Sequence, residues 1–235
     1  MATIELVKPA HTTRSTIALK LVMASSGILF ILYVLMHMYG NLRAFWGQAE
    51  YDGYAEHLRT MLQPILGYGG LLWIIRAILI VAVLAHIYSA ATLWKRANHA
   101  RPVKYQVKRN VGSSLSSRTM RWGGLTLLLF LIWHLLEFTI VKINVGDGGS
   151  IKHDPFALLV HTFHDAWWMT VIYLLAMVAL AFHLHHGTFS ALQTLGCTNS
   201  AASRMRARAF GWAVAIVIAG GFALVPLFVL FGVIK

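Results

Sequence analysis

The chain has 235 residues, of which 58% are hydrophobic and 12% charged, and its mean hydropathy is +0.65. That composition excludes an ordinary soluble domain and implies an integral membrane protein with several spans. A formal net charge of +12 raises nucleic acid as a partner, but the lysines and arginines sit in short segments beside apolar runs, where the preference for basic cytoplasmic loops accounts for them. No nucleic acid is therefore expected. The single cysteine, Cys197, excludes an internal disulfide and any CxxC metal site made by this chain alone.

A helix needs about 20 mostly apolar residues to cross the hydrocarbon. Five runs qualify, at about 20–40, 70–94, 121–142, 167–193 and 209–234, and they use nearly the whole of residues 1–235 as one membrane domain. The first run follows a polar segment and carries no small-residue cleavage site, so it reads as a retained span and not as a signal peptide. After it, "GQAEYDGYAEHLRTMLQ" at 47–63 places Tyr51, Tyr54, Ala55, Leu58 and Leu62 at helical spacing on a segment too polar to span. It reads as a short interfacial helix closed by Pro64.

The segment 95–121 carries Lys95, Arg96, Arg101, Lys104, Lys108, Arg109, Arg118 and Arg121 without an acid, whereas 142–165 carries Lys142 and Lys152 against Asp147, Asp154 and Asp165. The basic segment is therefore expected in the cytoplasm. Lys8, Arg14, Lys20, Arg204, Arg206 and Arg208 fall on that same side if the chain crosses five times. The fold class is thus all-α, a bundle of five transmembrane helices with the N-terminus cytoplasmic and the C-terminus outside. The lipid bilayer is its solvent.

Four spans each carry a histidine at a depth set by about 1.5 Å per residue. His37 and His134 lie in the outer half, and His86 and His183, on spans running the other way, lie in the inner half. Two imidazoles at each of two levels suit two haem irons with two axial ligands each, stacked across a bundle. Small neighbours one turn away, Ala90 after His86 and Gly187 after His183, suit a porphyrin face at the inner level. His185 and His186 are rotated by about 200° and about 300° from His183, so the three cannot share one iron. His186 is the alternative to His183 as the inner ligand. Polar contacts between helices are the plain reading of any one of these histidines, and side chains outside the bilayer core are the plain reading of His11, His57, His99, His153, His161 and His164. His161 and His164 form a His-x-x-His pair, a weak metal signal.

Three stretches carry a family resemblance: "HMYGNLRAFWGQAEYDGYAEHLRT" at 37–60, "RTMRWGGLTLLLFLIWHLLEF" at 118–138 and "FHLHHGTFSALQTLG" at 182–196. They resemble the cytochrome b membrane anchor of the succinate dehydrogenase and fumarate reductase family, in its single-chain, five-helix, dihaem branch, over most of the chain from about residue 15. The resemblance implies haem b ligation by His86 with His183 near the inside and by His37 with His134 near the outside. It also implies an iron-sulfur subunit and a flavoprotein subunit as partners, which hold the Fe-S clusters and FAD, and a quinone as electron acceptor, menaquinone rather than ubiquinone. The location it implies is the bacterial cytoplasmic membrane, with a higher oligomer of the complex open.

Succinate chemistry cannot reside in such a chain. Two imidazoles leave an iron no open position, so electron transfer is the expected work. Asn41, Arg43, Arg59, Arg76, Trp133 and Glu137 are candidates for haem propionate or quinone contacts. Glu137, the one acid inside a predicted span, follows His134 by a helical turn, where a carboxyl either has a firm structural partner, such as Arg76, or moves protons. Two other classes fit the sequence: a haem-containing anchor of another oxidoreductase, such as a hydrogenase or formate dehydrogenase, and a transporter or haem-free anchor.

Overall fold

The computed structural model describes residues 15–100, 113–140 and 154–235. Expectations resting on Lys8, His11, Arg14, Arg101, Lys104, Lys108, Arg109, Lys142, Asp147, Lys152 and His153 lie outside the described residues. Among those described there are helices and no strand. In chain order they are α1 (Thr16–Leu42), a 3-10 turn (Arg43–Trp46), α2 (Gln48–Thr60), α3 (Gln63–Leu66), α4 (Gly70–His99) and α5 (Leu115–His134). A widened π-helical turn (Leu135–Thr139), α6 (Pro155–His164), α7 (Trp167–Thr194) and α8 (Ala201–Leu230) follow.

Five of these units are long and apolar enough to cross a membrane: Thr16–Trp46, Gly70–His99, Leu115–Thr139, Trp167–Thr194 and Ala201–Leu230. Most run past the expected ends because polar caps, and not hydropathy, stop them. Ser15 accepts from Ala18 N–H before α1, Ser114 accepts from Ser117 N–H before α5, and Ser200 with Ser203 forms a reciprocal capping box before α8. Arg204, Arg206 and Arg208 consequently belong to the first turns of α8, not to a loop.

Two expectations need correction. Pro64 does not close the helix after the first span. α2 ends at Thr60, Leu62 takes a left-handed conformation (φ 61°), and Pro64 instead opens the short α3, where its missing N–H is no loss. The second correction is α6, a helix where only a charged connection was read. Asp154 caps it by accepting from Ala157 N–H, with Pro155 in its first turn. Its Phe156, Leu159 and Phe163 join Ala166, Met169 and Tyr173 of the next segment in the largest buried cluster, together with Val225 and Val229 of α8.

The order of packing is α4, α1, α7, α5, with α8 against α7 and α1. Small residues let α7 and α8 approach closely: a Cβ on Gly211 would come within 2.8 Å of the His185 carbonyl oxygen, and one on Gly221 would collide with the Met38 sulfur of α1. Arg96 of α4 donates to Thr16 Oγ1 at the start of α1, at 3.0 Å, and Gln48 of α2 donates to Asp154 before α6, at 2.7 Å. The described acids outside the spans, Glu50, Asp52, Glu56, Asp154 and Asp165, share the end of the bundle that carries α2 and α6. Lys95, Arg96, Arg118, Arg121, Arg204, Arg206 and Arg208 share the other.

Candidate functional site

α1, α4, α5 and α7 each contribute one histidine to a facing pair. His86 of α4 faces His183 of α7 with ring centroids 6.2 Å apart, and His37 of α1 faces His134 of α5 at 5.8 Å. Within the packing order, neither α4 with α7 nor α1 with α5 is a close backbone pair. The imidazoles therefore reach across the two diagonals of the four-helix array. The pairs formed are those that depth in the sequence selects, and His183, not His186, is the partner of His86.

Their second nitrogens differ. Ser26 Oγ lies 3.0 Å from His86 Nδ1, and Tyr173 Oη lies 3.2 Å from His134 Nδ1. His183 Nδ1 is buried without a hydrogen-bond partner among the described residues. Asn41 Nδ2 donates to the His37 carbonyl at 2.8 Å and lies 3.5 Å from His37 Nε2. Tyr33 stacks on His37 at 5.7 Å, Phe222 of α8 lies against its ring at 5.6 Å, and Phe130 and Phe138 flank His134.

These residues can be tested against a haem. A metal bound at about 2 Å to one nitrogen of each of two opposed imidazoles puts their ring centres roughly 6 Å apart, which both pairs satisfy. Glycines on neighbouring helices lie against the inner pair: a Cβ on Gly27 or on Gly124 would sit 3.7 Å from His86 or His183, and one on Gly187 would meet nothing within 4 Å. A recess of about 250 Å³ between α5 and α7, lined by Gly123, Thr126, Ala179 and Phe182, reaches His183. No group of three or more His, Cys, Asp or Glu side chains placed for a bare ion exists among the described residues. Two protein ligands suit an iron whose other positions a macrocycle fills. The donor set is chemically of the kind a haem iron takes, in two pairs; the recess beside His183 does not outline a haem cavity.

The remaining candidates divide. Arg43 lies against Tyr39 and Tyr54 and 3.7 Å from Glu50, with its Nε buried without a hydrogen-bond partner among the described residues, as is Trp133 Nε1. Arg76 is exposed and stacks over Trp73 at 4.8 Å. Arg59 gives its carbonyl to Gly69 N–H and is not brought to a histidine. Glu137 is 1% exposed. It is turned inward by the widened turn, whose Ile140 N–H reaches back to Leu135, and it accepts from Thr162 of α6 at 3.4 Å.

His185 stacks on Trp212 of α8 at 4.2 Å and pairs with Ser116 of α5 at 2.9 Å, so it ties three helices together away from the histidine pairs. His161 and His164 both bond Asp165 through Nδ1, at 2.7 and 2.9 Å, and hold that carboxyl below the usual carboxylate range. Sequence reasoning missed Ser26, Tyr173, Thr162, Gly27 and Gly124. The available signal was polar or small residues one to three turns into otherwise apolar runs. Comparison of the chain with protein-family models, with curated proteins and with solved structures finds no match.

Proposed function

We propose that this chain is the cytochrome b membrane anchor of a succinate:quinone oxidoreductase. In that role it passes electrons from an iron-sulfur subunit, fed by a flavoprotein subunit, to a quinone, menaquinone rather than ubiquinone. The observation that carries the reading is the pairing of four histidines from four helices into two opposed pairs at two depths. The motifs at 37–60, 118–138 and 182–196 add the family expectation.

His86 and His183 would hold an inner haem b, and His37 and His134 an outer one. Bound there, the two groups would supply one-electron transfer across the bundle and no substrate chemistry. The protein's own work is to hold four imidazoles on rigid helices, exclude water with Phe130, Phe138, Phe163 and Tyr173, and present donors at the outer end. Arg43 Nε and Trp133 Nε1 are buried donors placed for an anionic or carbonyl acceptor, whether propionate or quinone. Glu137, buried below α6, would give protons to a quinone at that end.

The basic end, with the N-terminus, would face the cytoplasm and dock the iron-sulfur subunit. The acidic end would face outward, with α2 and α6 at the membrane interface of the bacterial cytoplasmic membrane. A reduced-minus-oxidised spectrum with haem quantitation on the purified complex tests this reading. Two haems b per chain, reduced by succinate, are expected. A haem-free protein would instead favour a transporter or plain anchor, and haem without an associated flavoprotein would favour the anchor of another oxidoreductase.

A further inference from the structure

The hydrogen bonding of Ser26 suits it to accept a proton from His86. The Ser26 hydroxyl has a single proton, and it donates that proton to the carbonyls one turn back, Val22 at 2.8 Å and Met23 at 3.1 Å. That use of its proton turns lone pairs towards His86 Nδ1, 3.0 Å away. The Met23 carbonyl, which can only accept, also hydrogen-bonds His86, and with Ser26 Oγ as a further acceptor the arrangement favours the imidazole proton on Nδ1, leaving the Nε2 lone pair free. The position is held from both sides. Ser26 is buried, Gly27 next to it lies against His86 Cε1, and Phe30 meets the ring edge-on at 6.0 Å.

We propose that Ser26 is a positioning residue for the inner haem, fixing His86 as an Nε2 ligand and lowering that haem's potential. This inference rests on the dihaem reading above and deepens it. A hydrogen bond accepted from Nδ1–H makes the opposite nitrogen a stronger base, and a stronger donor favours the ferric over the ferrous ion. Ser26 is well suited as that acceptor, because donating to two carbonyls polarises its own oxygen. His183, across the pair, has no partner on Nδ1 among the described residues, so at the inner level such a bond reaches only His86, from Ser26 and from the Met23 carbonyl.

The test is a potentiometric titration of both haems in the intact complex, with the inner haem assigned as the one lost in His183→Ala. Ser26→Ala should retain two haems. It should raise the ferrous-to-ferric ratio of the inner haem at fixed potential about three- to tenfold, tenfold being about 59 mV for one electron, and leave the outer haem unmoved. Ser26→Thr, which keeps the hydroxyl, should restore the wild-type value. Loss of the inner haem from the alanine variant with its retention in the threonine variant would support the same role. An unshifted potential in Ser26→Ala, an equal shift in both variants, or loss of haem from both would overturn it. Nitrogen-15 NMR of the haem-free chain reads the tautomer independently: Nδ1–H on His86 is expected, and Nε2–H would overturn the inference even if the dihaem reading itself had failed.

Discussion

Thr162 on α6 donates a hydrogen bond to the Glu137 carboxyl on the widened end of α5. The helix that was not visible as an element therefore covers the one acid inside a candidate span among the described residues. Glu137→Gln preserves the acceptor for Thr162 and removes the ionisable carboxyl proton. It is expected to keep both haems and succinate-driven haem reduction while slowing quinone reduction. A wild-type rate of quinone reduction from about pH 6 to about pH 9 would make Glu137 structural. Thr162→Val should cost about 1 kcal/mol of stability, read by thermal unfolding, whichever role the carboxyl has.

The three histidines near the end of α7 should separate cleanly by substitution. His183→Ala removes the ring opposite His86 and should remove about half the haem absorbance, since an iron with one remaining imidazole is weakly held. His185→Ala and His186→Ala should keep both haems. His185→Ala should nevertheless lower stability by about 1–3 kcal/mol, because it deletes the stack on Trp212 and the bond to Ser116. Haem loss in His186→Ala alone would exchange the roles of His183 and His186.

The spans and the depth of the histidines were legible because both follow from one-dimensional quantities, apolar run length and rise per residue. The ring contacts His37–His134 and His86–His183 join histidines of four different helices, the same pairs that equal rise per residue along those helices gives. What surrounds them was not legible, because Ser26, Tyr173 and Gly124 act through helix rotation and neighbour choice, which a nearly uniform apolar pattern does not encode. α6 was obscured for a different reason. "DPFALLVHTFH" at 154–164 has a cap, a first-turn proline and an apolar face, but its flanking charges drew attention to loop polarity. Pro64 misled in the opposite direction, since proline ends one helix and begins another equally well.

The sided arrangement of charge predicts a labelling pattern. Cys197, exposed at the α7–α8 turn near Arg204 and Arg206, should react with an impermeant thiol reagent only from the cytoplasmic side of sealed vesicles. In a Cys197→Ser background, Gly53→Cys on the exposed face of α2 should react only from the other side. Labelling of both from one side would overturn the five-span topology.

Two glycines at helix contacts should respond differently to the same added methyl. Gly211→Ala drives a Cβ against backbone, the His185 carbonyl at 2.8 Å, whereas Gly221→Ala meets the flexible Met38 side chain. Overpacking costs about 1–3 kcal/mol. The upper end is expected for Gly211→Ala, with no rescue by substitution of a neighbouring side chain, and the lower end for Gly221→Ala, relieved in combination with Met38→Ala. Thermal unfolding of the single and double variants decides, and equal costs at the two sites would contradict the contact assignment.

The junction of α2 and α6 should be sensitive to pH through Asp52, which accepts from Phe156 N–H at 3.1 Å at the start of α6. Burial, and the Asp154 carboxylate beside it, raise the Asp52 carboxyl above its ordinary value of 3.8, against the pull of the Phe156 and Gln48 hydrogen bonds. The folded chain thus holds this proton more tightly than the unfolded chain does. The resulting stability is fully present below the ordinary value and is lost as pH rises through the raised one. Asp52→Asn mimics the protonated form and keeps an oxygen for Phe156 N–H. It should therefore raise the unfolding temperature at neutral pH, by a modest amount because the site is only half-buried. The gain should shrink to nothing at about pH 3, where the wild-type carboxyl is protonated in both states. An equal gain at both pH values would mean that the amide acts through a new hydrogen bond to Asp154 and not through removal of the charge.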